Sequence, residues 1–238
     1  MKIMIASDIH GSAHYCRRML EAFDREGADR LLLLGDILYH GPRNDLPEGY
    51  APKEVIAMLN ERKSQIFCVR GNCDTEVDQM VLEFPILADY CILTLDAGKS
   101  SGRYSEGDPA DKYDTDDPAD AGRAQGDKPD ADDPADLAQE QADASLRTGG
   151  SRCSRLIYAT HGHRFNIDHQ PPLSDGNILL QGHTHIPSWE SFGSGNICLN
   201  PGSVSIPKAG SRHSYMILEG RRASWNDLTG DTYHTEIL

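Results

Sequence analysis

The chain has 238 residues, with 23 Lys and Arg against 37 Asp and Glu, a formal net charge of −14. The length accommodates one large domain or two small ones, and the acidic balance argues against nonspecific nucleic-acid binding or a polybasic membrane patch, both of which use cations to meet phosphate. No apolar run approaches the ~20 residues that span a bilayer.

The opening stretch, Met1 to Asp8, turns acidic too soon for a signal peptide and reads as a strand, Ile3–Ser7. Asp8-Ile9-His10-Gly11 follows it. Cys16, Met19, Leu20 and Phe23 then recur at helical spacing, which predicts a helix over Ser12–Glu26, closed by Gly27. A second strand, Arg30–Leu34, leads into Gly35-Asp36. Pro52 at a first helical turn predicts a helix over Pro52–Arg62. The strand Gln65–Val69 runs into Gly71-Asn72, and a third helix is expected from about Thr75 to Leu82.

Composition changes sharply over residues 97–155. That segment lacks Val, Ile, Met, Phe and Trp, holds 14 acidic and 8 basic residues, and repeats Asp-Pro-Ala-Asp at Asp108, Asp117 and Asp133. It offers too little apolar surface to offset the entropy of ordering it, so a disordered acidic insertion is expected. The strands on either side, Cys91–Leu95 and Leu156–Thr160, are expected to be neighbours, with the insertion as their swollen hairpin loop. The chain is thus read as a single α/β domain, 1–238, interrupted by 97–155. Asn177–Leu180, Ile197–Leu199 and Tyr215–Leu218 supply further strands.

Six cysteines show no CxxC pair and mostly sit in apolar runs. That is the pattern of reduced, buried thiols, and a cytoplasmic location is expected.

Five strands end in polar residues able to bind a metal: Asp8 and His10, Asp36, Asn72, His161 with His163, and His183 with His185. Taken singly, each has a bland reading. Asp8-x-His10 can cap a helix, Asp36 can cap a loop, and Asn72 and Asp74 can form turns. Five such motifs at strand ends, where open α/β sheets bind ligands, point to a shared site. Seven donors (Asp8, His10, Asp36, Asn72, His161, His183 and His185) are too many for one tetrahedral ion and suit two divalent ions with a bridging carboxylate. Carboxylate, amide and imidazole without thiolate favour Mn²⁺ most, with Zn²⁺, Fe or Ni²⁺ as alternatives. Two such ions would acidify a shared water and clamp a phosphoryl group. A neutral Asn at position 72 leaves that centre positively charged.

These blocks resemble the calcineurin-like metallophosphoesterases. His40–Asn44, Leu46–Tyr50, Val69–Met80 and Asn200–Lys208 further resemble the YfcE-type bacterial phosphodiesterases. The resemblance implies a four-layer αββα sandwich and a dimetal phosphodiesterase that attacks a small phosphodiester with a bridging hydroxide. It implies that Asp8, His10, Asp36 and His185 hold one ion, and that Asp36, Asn72, His161 and His183 hold the other. Asp36, Asn72 and His161 are then the catalytic residues.

One position departs from the pattern. Many members carry a His after the Gly-Asn, placed to protonate the leaving group, and here Cys73 stands there. Arg43, Asn44, Cys73 and His163 are the candidate substrate contacts, and Asn200 and Ser203 either line the site or build a turn. His14, His169, His213 and His234 have no assigned role. The alternative class is a protein-interaction scaffold like the retromer subunit of the same family, which lost histidine ligands; here all seven positions are filled. No nucleic-acid groove is evident, and the pattern is compatible with a homo-oligomer.

Overall fold

The computed structural model describes residues 1–95 and 154–238. Residues 96–153, and with them the expected disordered insertion, lie outside the described residues. The strands β1 (Lys2–Ala6), β2 (Arg30–Leu33) and β3 (Ile66–Cys68) alternate with helices α1 (Ala13–Glu26), α2 (Pro52–Glu61) and α3 (Glu76–Val81). Then come β4 (Tyr90–Leu95), β5 (Arg155–Thr160), β6 (Ile178–Leu180), β7 (Ser188–Phe192), β8 (Asn196–Asn200), β9 (Ser214–Glu219), β10 (Arg222–Asp227) and β11 (Thr232–Ile237).

The helices start and stop where the sequence provides caps. The Ser12 hydroxyl accepts the Tyr15 N–H at the start of α1, and Gly27 closes it in the left-handed conformation at φ 60°. Thr75 and Asp78 form a reciprocal capping box on α3.

Two sheets result, ordered β11-β10-β9-β1-β2-β3 and β4-β5-β6-β8-β7. Strands β1, β2 and β3 run parallel, and so do β5, β6 and β8. Period-two alternation divides the apolar residues of β1 and β2 between two cores. Met4, Ala6, Leu31 and Leu33 pack under α1 and α2 with Met19, Phe23, Val55 and Leu59. Ile3, Ile5, Leu32 and Leu34 face the other sheet and meet Ile157, Ile178, Leu180 and Leu199. Strands buried on both faces read as continuous apolar runs, which is why their sequences announced them.

The outer face of the second sheet is covered by the segment 162–177, built of bends and not of a helix. Phe165, Ile167 and Leu173 from it pack on Tyr158, Leu179 and Cys198. The expected αββα layering therefore has a loop as one outer layer. Strands β4 and β5 pair antiparallel from Tyr90↔Thr160 to Leu95↔Arg155, so the two chain ends bordering residues 96–154 lie side by side. Strands β7, β10 and β11 were not anticipated. Among the described residues no helix is long and apolar enough to cross a membrane.

Candidate active site

The C-terminal ends of β1, β2, β3, β5 and β6 converge, and each delivers the residues expected of it. Asp8, His10, Asp36, His161 and His185 are buried, His183 is half-buried and Asn72 is exposed. Among the described residues, six non-glycine residues have positive φ: Asp8 (60°), His10 (48°), Asp36 (56°), His183 (66°), His185 (62°) and Ala209 (52°). Five of the six are expected metal ligands. The left-handed region costs an L-residue ~1–2 kcal/mol, so the surrounding structure must impose it.

That imposition is visible in the hydrogen bonds. Asp8 N–H donates to the Gly35 carbonyl at 3.1 Å and His10 N–H to the Asp36 carbonyl at 2.9 Å, which ties the β1 and β2 loops together. The hydroxyls of Ser203 and Ser205 both donate to the Asp8 carbonyl, each at 3.0 Å. Asn200 donates to the Gly182 carbonyl at 2.8 Å and to the Thr184 hydroxyl at 3.0 Å. Asn200 and Ser203 thus brace the site's backbone from behind.

Two glycines are required by close approach. A Cβ on Gly71 would sit 2.1 Å from Asp36 Oδ1, and one on Gly182 would sit 2.0 Å from Ser7 Oγ.

Each buried imidazole is oriented through its Nδ1. His10 Nδ1 meets the Tyr39 carbonyl at 2.7 Å, His161 Nδ1 the Leu34 carbonyl at 2.7 Å, and His185 Nδ1 the Ile206 carbonyl at 2.6 Å. A carbonyl only accepts, so Nδ1 carries the proton and Nε2 presents a lone pair to the centre. His10 Nε2 and His185 Nε2 then face each other at 3.3 Å, and His161 Nε2 faces His183 Nδ1 at 3.2 Å. The Nε2 lone pairs of neutral His10 and His185 repel unless a cation or a proton lies between them, whereas His183 with its proton on Nδ1 donates to His161 Nε2.

The carboxylates complete the arrangement. Asp8 Oδ1 is buried with no hydrogen-bond partner and lies 3.3 Å from His185 Nε2 and 3.7 Å from His10 Nε2. Asp36 divides its oxygens: Oδ1 accepts the Cys73 N–H at 2.8 Å, while Oδ2 lies 3.7 Å from His10 Nε2 and 3.5 Å from His161 Nε2. Asn72 Oδ1 is 3.1 Å from His161 Nε2. Asp8, His10 and His185 could hold one ion, and Asp36, His161 and His183 another. An orphaned carboxylate oxygen among facing nitrogens suits divalent cations.

The electrostatics agree. Burial alone would raise Asp8, yet His10 and His185 outweigh it and hold its carboxyl well below the usual range. Burial would lower His161, but Asp36 and Asp8 pull it up to about 9. The centre favours positive charge.

A cavity of ≈360 Å³ opens over this centre, lined by His10, Asp36, Asn72 and His183 together with Arg43 and Asn44. Asn44 also donates to the His40 carbonyl at 2.9 Å and so fixes the loop it sits on. Cys73 and Lys208 line the cavity as well. Lys208 was missed because its loop begins far along the chain. Burial first, and then Asp36, push the Cys73 thiol up to about 12, so it remains protonated. The His163 ring lies 5.3 Å from the His161 ring and 6.3 Å from the His183 ring, and burial lowers it to about 4.

Asp74, which its sequence context suggests is a turn former, is buried and accepts three backbone N–H groups. They come from Asp36 at 2.9 Å, Ile37 at 2.9 Å and Gly71 at 2.7 Å. Three of the unassigned histidines have partners that give them local structural places. His213 stacks on Tyr15 and His234 on Trp189, with ring centroids 4.0 and 3.6 Å apart, and His14 meets the edge of Tyr15.

The family model for the calcineurin-like phosphoesterase superfamily domain matches residues 1–222. The chain belongs to this superfamily. Among calcineurin-like relatives, phosphodiesterase YfcE of Escherichia coli K12 is 37% identical over 219 residues, covering 92% of this chain and 88% of the relative. The solved structure of YfcE, described as a phosphoesterase from E. coli, superposes with a TM-score of 0.72 at 35% identity, covering 100% of this chain and 99% of that one. The metallophosphoesterase YsnB of Bacillus subtilis, described as probable, is 32% identical over 83 residues, 32% of this chain and 47% of the relative. The expected fold and family are borne out, and the Asp and His clusters form the candidate metal centre of a calcineurin-like phosphoesterase.

Proposed function

We propose that the chain is a phosphodiesterase that hydrolyses a small phosphodiester with two divalent ions, Mn²⁺ foremost. The observation that carries this reading is the position of Asp36 Oδ2, 3.7 Å from His10 Nε2 and 3.5 Å from His161 Nε2. One carboxylate oxygen faces both groups of donors, the position of a ligand that bridges through a single atom. Asp8, His10, Asp36 and His185 then hold the first ion, and Asp36, Asn72, His161 and His183 the second.

When bound, such ions acidify a water and neutralise charge on a transferring phosphoryl group. The chain's own residues do the rest. Backbone carbonyls hold the protons of His10, His161 and His185 on Nδ1, so that their Nε2 atoms stay available. Asn72, being neutral, leaves excess positive charge for the phosphate. Arg43 and Lys208 present cations to its non-bridging oxygens, while Asn44 orders the loop that carries Arg43. Cys73 presents a neutral thiol beside the departing oxygen, a weaker proton donor than the His of many relatives. His163, neutral at pH 7, offers its ring to the substrate at the other edge.

The same reading makes the chain one metallophosphoesterase domain of the cytoplasm, with residues 97–155 inserted in it. The scaffold alternative is weaker, because a scaffold has no use for seven filled ligand positions.

The test is a screen of phosphomonoesters and phosphodiesters against the protein loaded with Mn²⁺, Zn²⁺, Ni²⁺ or Mg²⁺, with metal content measured in parallel. Two ions per chain and diester hydrolysis are expected. Fewer than two ions with no turnover on any diester would overturn the reading.

A further inference from the structure

Beside the main cavity lies a second hollow of ≈260 Å³, lined by Arg70, Gly71, Asn72, Asp89, His163 and Arg164. Asn72 lines both hollows and its side chain is exposed, so it forms the ridge between them. Its Oδ1, 3.1 Å from His161 Nε2, marks where the ridge meets the metal centre. His163 joins the second hollow to that centre from the other side.

A phosphodiester has two arms on one phosphorus. Centred over Asp36 and Asn72, it sends its arms out at roughly the tetrahedral angle, and because Asn72 lines both hollows, each hollow can receive one arm. Their charge is also informative. In a chain with 37 acidic and 23 basic side chains, the second hollow is lined by two guanidinium groups, Arg70 and Arg164, each with one carboxylate partner, Glu76 at the rim and Asp89 in the lining. Both are held in place. Arg164 bonds Asp89 at 2.8 Å, and Arg70 Nε donates to the Asp74 carbonyl at 3.2 Å while its Nη2 meets the exposed Glu76 at 3.3 Å. A guanidinium tethered by one edge keeps its remaining N–H groups for another acceptor.

We infer that this second hollow is a subsite for one arm of the substrate, and that it selects an arm bearing a carboxylate or phosphate. This rests on the phosphodiesterase reading and adds to it a substrate class: small diesters with an anionic group beyond the scissile phosphate. Arg164 and Arg70 are its specificity residues, and Asn72 sets the distance between anion and phosphorus.

The experiment uses three diesters with one leaving group, p-nitrophenol, and a second arm that is methyl, 2-carboxyethyl or 2-(trimethylammonio)ethyl. The Mn²⁺-loaded full chain should show its highest kcat/KM with the carboxyethyl arm and its lowest with the cationic arm. In Arg164→Gln the ratio of carboxyethyl to methyl should fall about two- to fivefold, the scale of an exposed charge pair. Arg164→Lys should restore part of it and Arg164→Glu should invert the order. Arg164 is exposed, so these variants test recognition without touching the core. A wild-type ratio near one, or an Arg164→Gln variant that slows all three substrates equally, would overturn the subsite while leaving the phosphodiesterase reading intact. Failure to hydrolyse any of the three would remove that reading and the subsite with it.

Discussion

The carboxylate of Asp74 holds the backbone of Asp36. One of its oxygens accepts the Asp36 N–H at 2.9 Å and the Gly71 N–H at 2.7 Å, and the other accepts the Ile37 N–H at 2.9 Å. Asp74 is buried and outside the cavity lining, yet it ties the turn after β2, where Asp36 sits at positive φ, to the turn after β3. Asp74→Ala leaves three interior N–H groups without an acceptor, each worth ~1–3 kcal/mol. At about 2–4 °C per kcal/mol, we expect Asp74→Ala to lower the melting temperature by at least about 6 °C. Asp74→Asn, which keeps one acceptor oxygen, should lose less. Thermal denaturation of the two variants checks the order, and equal melting points for all three proteins would show that the tie carries no stability.

Asp36→Asn should weaken both ions at once. The amide has one uncharged oxygen, which cannot both accept the Cys73 N–H and face the imidazoles as Oδ1 and Oδ2 do, so its NH₂ would face one or the other. In the wild type, ions that bind only the folded state stabilise it by about 2.7 kcal/mol at a hundred times their dissociation constant. Mn²⁺ should therefore raise the wild-type melting temperature, EDTA should reverse the rise, and Asp36→Asn should respond to neither. A variant that kept two ions and full turnover would defeat the bridging assignment.

The rate should depend steeply on the leaving group. Burial and the carboxylates keep the Cys73 thiol protonated up to about pH 12, so the departing oxygen receives little help from it near neutral pH. Activated aryl diesters should turn over much faster than alkyl diesters. Cys73→His places a better-matched acid there and should flatten the plot of log rate against leaving-group pKa. An already flat wild-type plot, with chemistry rate-limiting, would point to another acid.

Gly71→Ala should be more damaging than an ordinary loop substitution. Its Cβ would lie 2.1 Å from Asp36 Oδ1, so either the β3 turn or the Asp36 side chain must move. We expect loss of metal binding and of turnover together. Metal content measured on folded Gly71→Ala protein, with two ions retained, would count against the tight packing of the two turns.

Much of this was legible in the sequence, for identifiable reasons. Strands β1, β2, β5 and β6 are covered on both faces, so they read as apolar runs and their ends exposed the ligand motifs. The strands that were missed have one face in water. β7 reads Ser-Trp-Glu-Ser-Phe, and in β10 the buried Trp225 finds its N–H partner, the Asn200 carbonyl at 2.7 Å, in a different sheet. The role of Asp74 was hidden because its partners Asp36 and Ile37 lie far back in the chain. Lys208, Arg70 and Arg164 were hidden for the same reason: cations that gather from separate loops leave no local pattern.

Replacing residues 96–154 with a Gly-containing turn should preserve metal content and turnover. Leu95 and Arg155 are already cross-strand partners, and the far end of that pair is the one that delivers His161. Loop closure favours the shorter connection slightly. Lost turnover with metal still bound would show that the segment takes part in the chemistry.

The same register divides the ligands between two stretches of chain. Asp8, His10, Asp36 and Asn72 precede Leu95, and His161, His183 and His185 follow Arg155. Neither stretch holds the donors for a complete pair of ions, and each lacks strands the other supplies: β1 pairs with β9, and β4 with β5. The molecule is in effect a two-piece lock. If the backbone were cut between 95 and 155, the halves would have to find each other before either could retain its metals, and colour from a p-nitrophenyl ester would report their reunion.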